Sequence, residues 1–271
     1  MEIPTLTDKD RLSVLIKSNN SLNDIREILV KYTLSLEDMV GIIKFIMNDP
    51  WEKIDIIKML HNEFGLDIAG NSSMFVKLIK NYPYAFMIKL LIDLGIDINI
   101  DDGKLLMISC KYKFLENIKL LLDLGVDPNI RNGKALIKTL SRSSNYASET
   151  VKLDITKLLF EYGLNNIHKD ALEMCVLDSK YDIATLLVES GADVNTHNGT
   201  PLIVATSARK YKFIKLLLDY GANVNCFSNK RNQTYYWDNN AYEKYTKVHD
   251  LLVSQGVDPI VVMKFSMFNL C

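Results

Sequence analysis

The sequence predicts an all-α fold built from stacked helix pairs, and three repeated features of the chain support this prediction. A short phrase of Gly, an apolar residue, Asp or Asn, an apolar residue or Pro, and Asn returns along the chain. An apolar run precedes each copy of the phrase, and a polar turn with another helix-forming segment follows it. Self-similarity at a period of about 30 residues is typical of repeat proteins.

The repeated phrase sets the length of the unit. Clear copies occupy residues 95–99, 125–129, 191–195 and 221–225, and weaker copies begin at Gly65, Gly163 and Gly256. Successive glycines lie 28 to 38 residues apart. Such regular spacing predicts one structural unit that is repeated along the chain.

The apolar run before each glycine predicts a helix. The copy at residues 215–219 is typical, and its expected apolar face consists of Phe213, Leu216, Leu217 and Tyr220. The glycine that follows suits the left-handed conformation that ends a helix. One helix cannot bury such a stripe alone, so neighbouring units must stack, at about 1.5–3 kcal/mol per buried Leu.

The segment after each phrase predicts a turn and another helix. Asp102-Gly103, Asn132-Gly133 and Asn198-Gly199 are strong signals for tight turns. Pro201 follows the last of these turns, at a helix start where its missing N–H costs nothing. Each unit is therefore predicted to run from turn to short helix, loop and longer helix.

These residues resemble the ankyrin-repeat family. Residues 200–205, Thr-Pro-Leu-Ile-Val-Ala, are similar to the family's T-P-L-H-x-A motif, with Ile203 where His is usual. Residues 199–225 follow the family pattern through both helices without a gap. The resemblance extends over about residues 36–259 and implies an ankyrin-repeat solenoid of about six helix-pair units.

The departures from the family pattern predict local differences. The period of about 30 residues is shorter than the family's 33, which implies shortened hairpins between units. The unit that ends at Gly163 is longer, which predicts a long loop over residues 141–152. The last unit is expected to contain helices at residues 234–245 and 247–254.

The expected organisation has three parts. Residues 1–35 form an N-terminal helical cap, in which Ser21 and Asp24 are spaced for a capping box. Residues 36–259 form the repeat solenoid, and residues 260–271 form an apolar tail. We expect no secretory signal and no membrane span, because no basic start precedes an apolar run and no apolar stretch is long enough.

The charge and cysteine content of the chain bear on nucleic-acid binding, anion binding and the state of the thiols. The chain has 32 basic and 33 acidic side chains, which argues against nucleic-acid binding through bulk electrostatics. Four of the apolar runs open with a lysine that has an acidic residue four positions later, which favours a solvated row over an anion site. The four scattered cysteines are typical of buried free thiols in a reducing compartment.

The sequence offers no persuasive catalytic, cofactor or metal site. Cys175 and His168 could lie in one unit, but no third group is placed to orient them. Asp101 and Asp102 fit a solvated turn, because no further carboxylates follow at the spacing of a calcium loop. Nucleotide-binding glycine motifs are absent from the sequence. We therefore expect a protein that is not an enzyme and needs no cofactor or metal.

The resemblance implies a protein-binding function. Ankyrin proteins usually bind partners on the concave face, which is built from hairpin tips and first-helix residues. Carried over by register, the expected partner-binding residues are Asn81, Tyr82, Lys111, Tyr112, Ser141, Arg142, Asp178 and Ser207. Exposed Tyr and Arg are the types enriched at binding hot spots, although the same residues could instead only support the loops.

Two functions remain open from the sequence. The first is a scaffold or adaptor that binds a protein partner, without nucleic acid or membrane. Divergent arrays of this kind resemble those of large DNA viruses and intracellular bacteria, so a host protein in the host cytoplasm is the expected partner. The second is the substrate-recruiting subunit of a ubiquitin ligase, in which residues 1–35 or 260–271 would hold the ligase component.

Overall fold

The structure is a computed structural model that describes residues 21–31, 34–47, 54–81, 84–141, 148–228, 242–259 and 262. These residues contain fourteen α-helices and one 3₁₀-helix, with no β-strand among them. The all-α prediction is therefore confirmed for the described part of the chain. The chain divides into two compact units, Met1–Leu105 and Leu106–Cys271.

The helices of the first unit pack as pairs in chain order. They are α1 (Leu22–Leu29), α2 (Leu36–Ile46), α3 (Ile54–Phe64), α4 (Ser72–Asn81) and α5 (Ala85–Asp93). Helix α2 packs against α3, and α4 packs against α5. The next helix, α6 (Ile100–Tyr112), begins in this unit and ends in the second.

The helices of the second unit form two rows. They are α7 (Leu115–Asp123), α8 (Ile130–Leu140), α9 (Glu149–Glu161), α10 (Ala171–Leu177), α11 (Tyr181–Glu189), α12 (Thr196–Ser207), α13 (Tyr211–Asp219) and α14 (Tyr242–Ser254). The first helices of successive repeats pack in the order α8, α10, α12, and the second helices pack in the order α7, α9, α11, α13. A 3₁₀-helix at Val224–Ser228 packs on α12, and α14 packs on α13. This stacking of helix pairs is the arrangement that the repeat predicted.

Capping boxes begin the first two described helices. The Ser21 hydroxyl accepts from the Asp24 N–H, and the Asp24 carboxylate accepts from the Ser21 N–H, as the spacing predicted. Ser35 and Asp38 repeat this arrangement at the start of α2. Each pair satisfies two backbone donors that a helix start leaves without partners.

Three connections between repeats are short turns with left-handed backbone, in place of longer hairpins. In α6, Asp101, Asp102 and Gly103 have φ angles of 47°, 51° and 74°. The same conformation recurs at residues 131–133 in α8 and 197–199 in α12. The final glycine N–H of each turn donates to the carbonyl four residues earlier, at 3.1 Å. The predicted shortening of the hairpins is therefore confirmed in these three connections.

The last residue of the repeated phrase joins one repeat to the next. Asn195 Oδ1 accepts from the Asn223 N–H at 2.7 Å, and its Nδ2 donates to the Gly221 carbonyl at 3.2 Å. The Asp193 carboxylate accepts from the Asn195 N–H at 2.8 Å, which fixes the turn that aims this side chain. The phrase therefore provides both a turn and a bond between repeats.

The apolar faces of the helices form the core, with one difference from the prediction. Phe213, Leu216 and Leu217 are buried, and Ile214 joins them. Tyr220, which was expected on the same face, is 45% exposed. The expectation was wrong because α13 ends at Asp219 and Tyr220 is the capping residue beyond it.

Two predicted boundaries also require correction. Helix α9 begins at Glu149, because the Ser148 hydroxyl caps it by accepting from the Val151 N–H, so the predicted loop over residues 141–152 is too long. Helix α14 is continuous, whereas a break was expected between residues 245 and 247. No glycine or proline lies there to interrupt it. Residues 1–20 of the predicted N-terminal cap lie outside the described residues, as does the tail apart from residue 262.

Candidate partner-binding surface

The predicted binding residues lie where first helices end. Asn81 is the exposed last residue of α4, and in the second unit the described ones are Lys111, Tyr112, Ser141, Asp178 and Ser207. The left-handed turns lie at the opposite ends of the same helices. The predicted residues are therefore separated from the connections that replace the hairpins. Tyr82 and Arg142 lie outside the described residues.

We call the part of this region in the second unit the helix-end surface. It comprises the ends of the first helices and the loops that lead to the second helices, at residues 111–114, 141, 177–181 and 207–211. The three loops that the structure describes in full, at residues 111–114, 177–181 and 207–211, each include a residue with positive φ. These residues are Lys113, Ser179 and Arg209. Hydrogen bonds from these loops to carbonyls of the preceding helix end each first helix at the same point.

Lys111 and Tyr112 form a stack on this surface. The Tyr112 ring lies 5.8 Å from the Phe114 ring, centroid to centroid, with 19° between the planes. The Lys111 Nζ lies over the same Tyr112 ring, 5.5 Å from its centroid. A cation and two aromatic rings are thus held together by stacking and cation–π contacts.

Lys113, which the sequence analysis did not single out, connects two of the predicted residues. Its Nζ donates to the Lys111 carbonyl at 2.9 Å and to the Ser141 carbonyl at 2.8 Å. The residue is only 7% exposed. Burial lowers the pKa of Lys113 to about 8, and the charge of Lys152 acts in the same direction. The structure thus brings the carbonyls of Lys111 and Ser141 together around a buried amine.

Asp178 belongs to a second charged cluster. Its carboxylate lies 3.7 Å from the Lys180 Nζ, and its side chain is 13% exposed. Lys180 also donates to both oxygens of Glu149, at 3.0 and 3.1 Å, and Lys152 donates to Glu149 at 3.2 Å. Asp178 is therefore engaged within the protein.

The electrostatics of this cluster depend on Glu149. Burial works against the charge of Lys180, but the hydrogen bonds to Glu149 hold the pKa of Lys180 above its ordinary value. Burial and the neighbouring Lys180 lower the pKa of Lys152. Although its partial burial acts in the opposite direction, the bonds from the two lysines lower the pKa of Glu149. Glu149 thus stabilises two cations that the fold encloses.

A third lysine and two exposed side chains complete the surface. Lys210 Nζ donates to the carbonyls of Val176 and Leu177, the last residues of α10. A cation at this position complements the C-terminal end of the helix dipole. Leu177 is 54% exposed, and Tyr211, the residue after Lys210, is 42% exposed. These two contact candidates were missed because single exposed apolar residues give no periodic signal in a sequence.

Ser207 has a different environment from Cys175 and His168, the pair that the sequence did not support as catalytic. The Ser207 hydroxyl is enclosed without a hydrogen-bond partner among the described residues. Burial raises the pKa of the Cys175 thiol to about 12, which disfavours the thiolate that a nucleophile needs. His168 Nδ1 instead lies 3.6 Å from the Asp170 carboxylate. In the part of the chain that the structure describes, no group of three His, Cys, Asp or Glu residues is placed to hold a metal ion.

Comparison with known proteins identifies the repeats. Residues 172–261 match the family described as ankyrin repeats, in three copies. Residues 172–261 of this chain carry ankyrin repeats. The matched segment includes α10 to α14, so the assignment covers the Leu177, Lys210 and Tyr211 part of the helix-end surface. Ankyrin repeats are generally protein–protein interaction modules, and family members are typically scaffolds rather than enzymes.

A viral ankyrin protein is similar to part of the chain. An ankyrin repeat protein of Acanthamoeba polyphaga mimivirus is 42% identical to the chain over 52 residues. This alignment spans 19% of the chain and 17% of the length of that relative. The source of this relative is consistent with a large DNA virus, one of the two kinds of source, large DNA viruses and intracellular bacteria, that the sequence suggested. No helix within the described residues has the length and apolar character needed to cross a membrane.

Proposed function

We propose that this ankyrin-repeat chain is an adaptor that binds a partner protein on the first-helix side of its repeats. The contact would centre on the helix-end surface and belong to the concave repeat face that the family uses. The observation that carries this proposal is the pair of hydrogen bonds from Lys113 to the carbonyls of Lys111 and Ser141. These bonds fix the ends of two successive first helices, so the side chains there are held in place before a partner arrives.

The chemistry of the surface supports a protein partner. Tyr112 and Tyr211 offer aromatic contact area, and Leu177 adds an exposed apolar side chain. Large side chains with few rotatable bonds lose little entropy when they are buried by a partner. Arg142 and Ser207 remain proposed members of this site, and Asn81 and Tyr82 remain proposed binding residues of the first unit, from their register in the sequence.

The similarity to a mimivirus protein supports a proposal about which organism supplies the partner protein. Because a mimivirus ankyrin protein is similar to part of this chain, we propose that the partner is a host protein. The host cytoplasm is the proposed location, and buried free thiols at Cys110, Cys175 and Cys226 are compatible with a reducing compartment.

Affinity capture from host lysate tests the proposal. The wild type is compared with the triple variant Tyr82→Ala/Tyr112→Ala/Arg142→Ala, and proteins retained by each bait are quantified by mass spectrometry. We expect the triple variant to lose at least one specific partner while its thermal unfolding remains close to that of the wild type. Unchanged capture by a folded triple variant contradicts the proposed surface.

The control variant places comparable changes on the second helices. Lys119→Glu/Tyr220→Ala removes one exposed lysine and one exposed tyrosine outside the helix-end surface. We expect this variant to capture the same partners as the wild type. Equal losses in both variants would attribute the effect to general changes in charge or aromatic content.

A further inference from the structure

A basic pocket lies at the C-terminal end of the helix-end surface. It has a volume of about 400 Å³ and is lined by Arg209, Lys210, Tyr211, Lys212, Phe213 and Lys247. The first five residues belong to the loop between α12 and α13 and to the start of α13, and Lys247 comes from α14. The pocket therefore lies between the last complete helix pair and the helix that follows it.

The charge of this pocket has one sign. Four of its six lining residues are cationic, and none of the six is acidic. Lys212 and Lys247 are exposed, whereas Lys210 is held by carbonyls at the end of α10. Burial lowers the pKa of Lys210, and the charge of Asp178 acts against this shift. Asp178 already contacts Lys180. Because cations concentrated around one cavity attract anionic groups, the pocket favours a negatively charged occupant.

Aromatic rings form the apolar part of the pocket. Phe213 is buried and packs edge-on against Tyr181, with ring centroids 5.3 Å apart and planes at 83°. Lys210 Nζ lies 5.8 Å from the Phe213 centroid. These contacts hold the floor of the pocket rigid, while Tyr211 is exposed at its edge. An occupant would need an apolar group beside its negative charge.

We infer that this pocket binds an acidic segment of the protein partner, with one apolar or aromatic side chain on the ring floor and neighbouring Asp or Glu carboxylates at Lys212 and Lys247. This inference rests on the proposed function, because the pocket continues the helix-end surface at Tyr211. The inference specifies the chemical character of the partner segment, which the repeat family alone does not.

The charge distribution favours a peptide over a nucleic acid. Nucleic-acid binding depends on many phosphate contacts along an extended backbone, and proteins that bind in this way usually carry a basic stripe. Here the four cations surround one cavity, and the whole chain has a formal net charge of −1. A short acidic segment matches this confined charge.

Selection from a random peptide library tests the inference with the full chain. Phage that display random dodecapeptides are selected on the wild type, on Lys212→Glu/Lys247→Glu and on the control Lys119→Glu/Lys157→Glu. The control reverses two exposed lysines on α7 and α9, away from the pocket. We expect Asp and Glu to be enriched beside an aromatic or Leu position for the wild type and the control, and not for the pocket variant.

The best selected peptide is then synthesised and its affinity is measured by calorimetry. Reversal of both pocket lysines should weaken it by about tenfold or more, because each tenfold change needs about 1.4 kcal/mol and two charge contacts become repulsive. Equal affinity for wild type and pocket variant overturns the inference. A single-stranded dodecathymidylate that binds more tightly than the peptide, and loses that binding in the pocket variant, also overturns it.

A second comparison separates this inference from the proposed function. The host partner is measured against Lys111→Glu/Tyr112→Ala and against Lys212→Glu/Lys247→Glu. Loss in the first variant alone supports the helix-end surface and overturns the pocket inference. Loss in the pocket variant alone supports the pocket and contradicts a contact centred on Lys111 and Tyr112.

Discussion

The backbone of Asn166 is held by the side chain of Asn129, which lies 37 residues earlier in the chain. Asn129 Oδ1 accepts from the N–H groups of Asn165 and Asn166, each at 2.9 Å. Its Nδ2 donates to the Gly163 carbonyl at 2.9 Å. One side chain thus uses both ends of its amide to connect successive repeats. Stability between repeats therefore depends on directional bonds as well as on apolar stacking.

Removal of the Asn129 amide tests this connection. Asn129→Ala removes the partner of two N–H groups and one carbonyl in an exposed contact that water can partly solvate, so we expect a loss of about 0.5–1.5 kcal/mol in the free energy of unfolding. Urea unfolding measured by circular dichroism gives this value. Asn165→Ala is the matched control, since its side chain is exposed and its backbone N–H is retained. Equal effects of the two variants would contradict the proposed role of the Asn129 side chain.

The glycine at position 133 makes a close contact with the same backbone. Gly133 has φ +66°, and a Cβ there would lie 1.9 Å from the Asn166 carbonyl oxygen. Gly125 also has positive φ, +91°, but a Cβ there meets nothing within 4 Å. Gly125→Ala should cost about 1–2 kcal/mol for the left-handed conformation alone. Gly133→Ala should cost about 1–3 kcal/mol more because the next repeat must move. Thermal unfolding of both variants measures the difference, and equal losses would exclude the close approach.

The sequence predicted the repeat because its signals are local. Gly133 and Gly199 follow Asn in tight-turn pairs, and both adopt the left-handed conformation that these pairs favour. The capping box of Ser21 and Asp24 spans only three residues, and it forms as expected. Such features depend on the conformation of a few neighbouring residues, which the sequence encodes directly.

The lysines of the helix-end surface could not be predicted in the same way. Lys113, Lys180 and Lys210 contact carbonyls or carboxylates 28, 31 and 34 residues away, in other repeats. A lysine in a sequence is normally expected to be exposed, because burial requires partners that only the fold supplies. Asp178 was expected at the surface for the same reason, since its neighbour Lys180 is enclosed by a different repeat.

The ion pairs of Glu149 should stabilise the protein in a pH-dependent way. Glu149→Gln removes the carboxylate from Lys180 and Lys152, and we expect a loss of about 1–2 kcal/mol at pH 7. This is below the cost for a fully buried pair, because the Glu149 side chain is 62% exposed and solvent screens it. The exposed pair of Asp55 and Lys58 provides the control, and Asp55→Asn should change stability by less than about 1 kcal/mol.

The pH dependence follows from the carboxyl group. Because the folded protein lowers the pKa of Glu149 below 4.5, its stabilisation is present above that pH and is lost as the pH falls further. Unfolding free energies of the wild type and Glu149→Gln should therefore converge in acid. A constant difference between pH 7 and pH 3 would contradict this account of the cluster.

Lys113 should also make stability rise with pH, but in the alkaline range. Burial lowers the pKa of Lys113 from 10.5 to about 8 in the folded protein. Between these two values the unfolded chain binds a proton that the folded chain has released, so stability rises with pH. Relative to Lys113→Met, the wild type should gain up to about 1.4 kcal/mol per pH unit from pH 8 to 10.5. Denaturant unfolding at several pH values measures this difference, and parallel curves for both proteins would contradict a buried, neutralised amine.

Radical footprinting of the complex with the captured host partner tests the central claim most directly. Side chains of the free and bound protein are oxidised with hydroxyl radicals, and mass spectrometry measures the protection of the exposed Tyr162, Tyr211 and Tyr220 and of the partly exposed Tyr112. Contact at the helix-end surface predicts protection of Tyr112 and Tyr211, with no change at Tyr162 and Tyr220 near the ends of second helices. Protection of Tyr162 and Tyr220, with Tyr112 and Tyr211 unchanged, would contradict it.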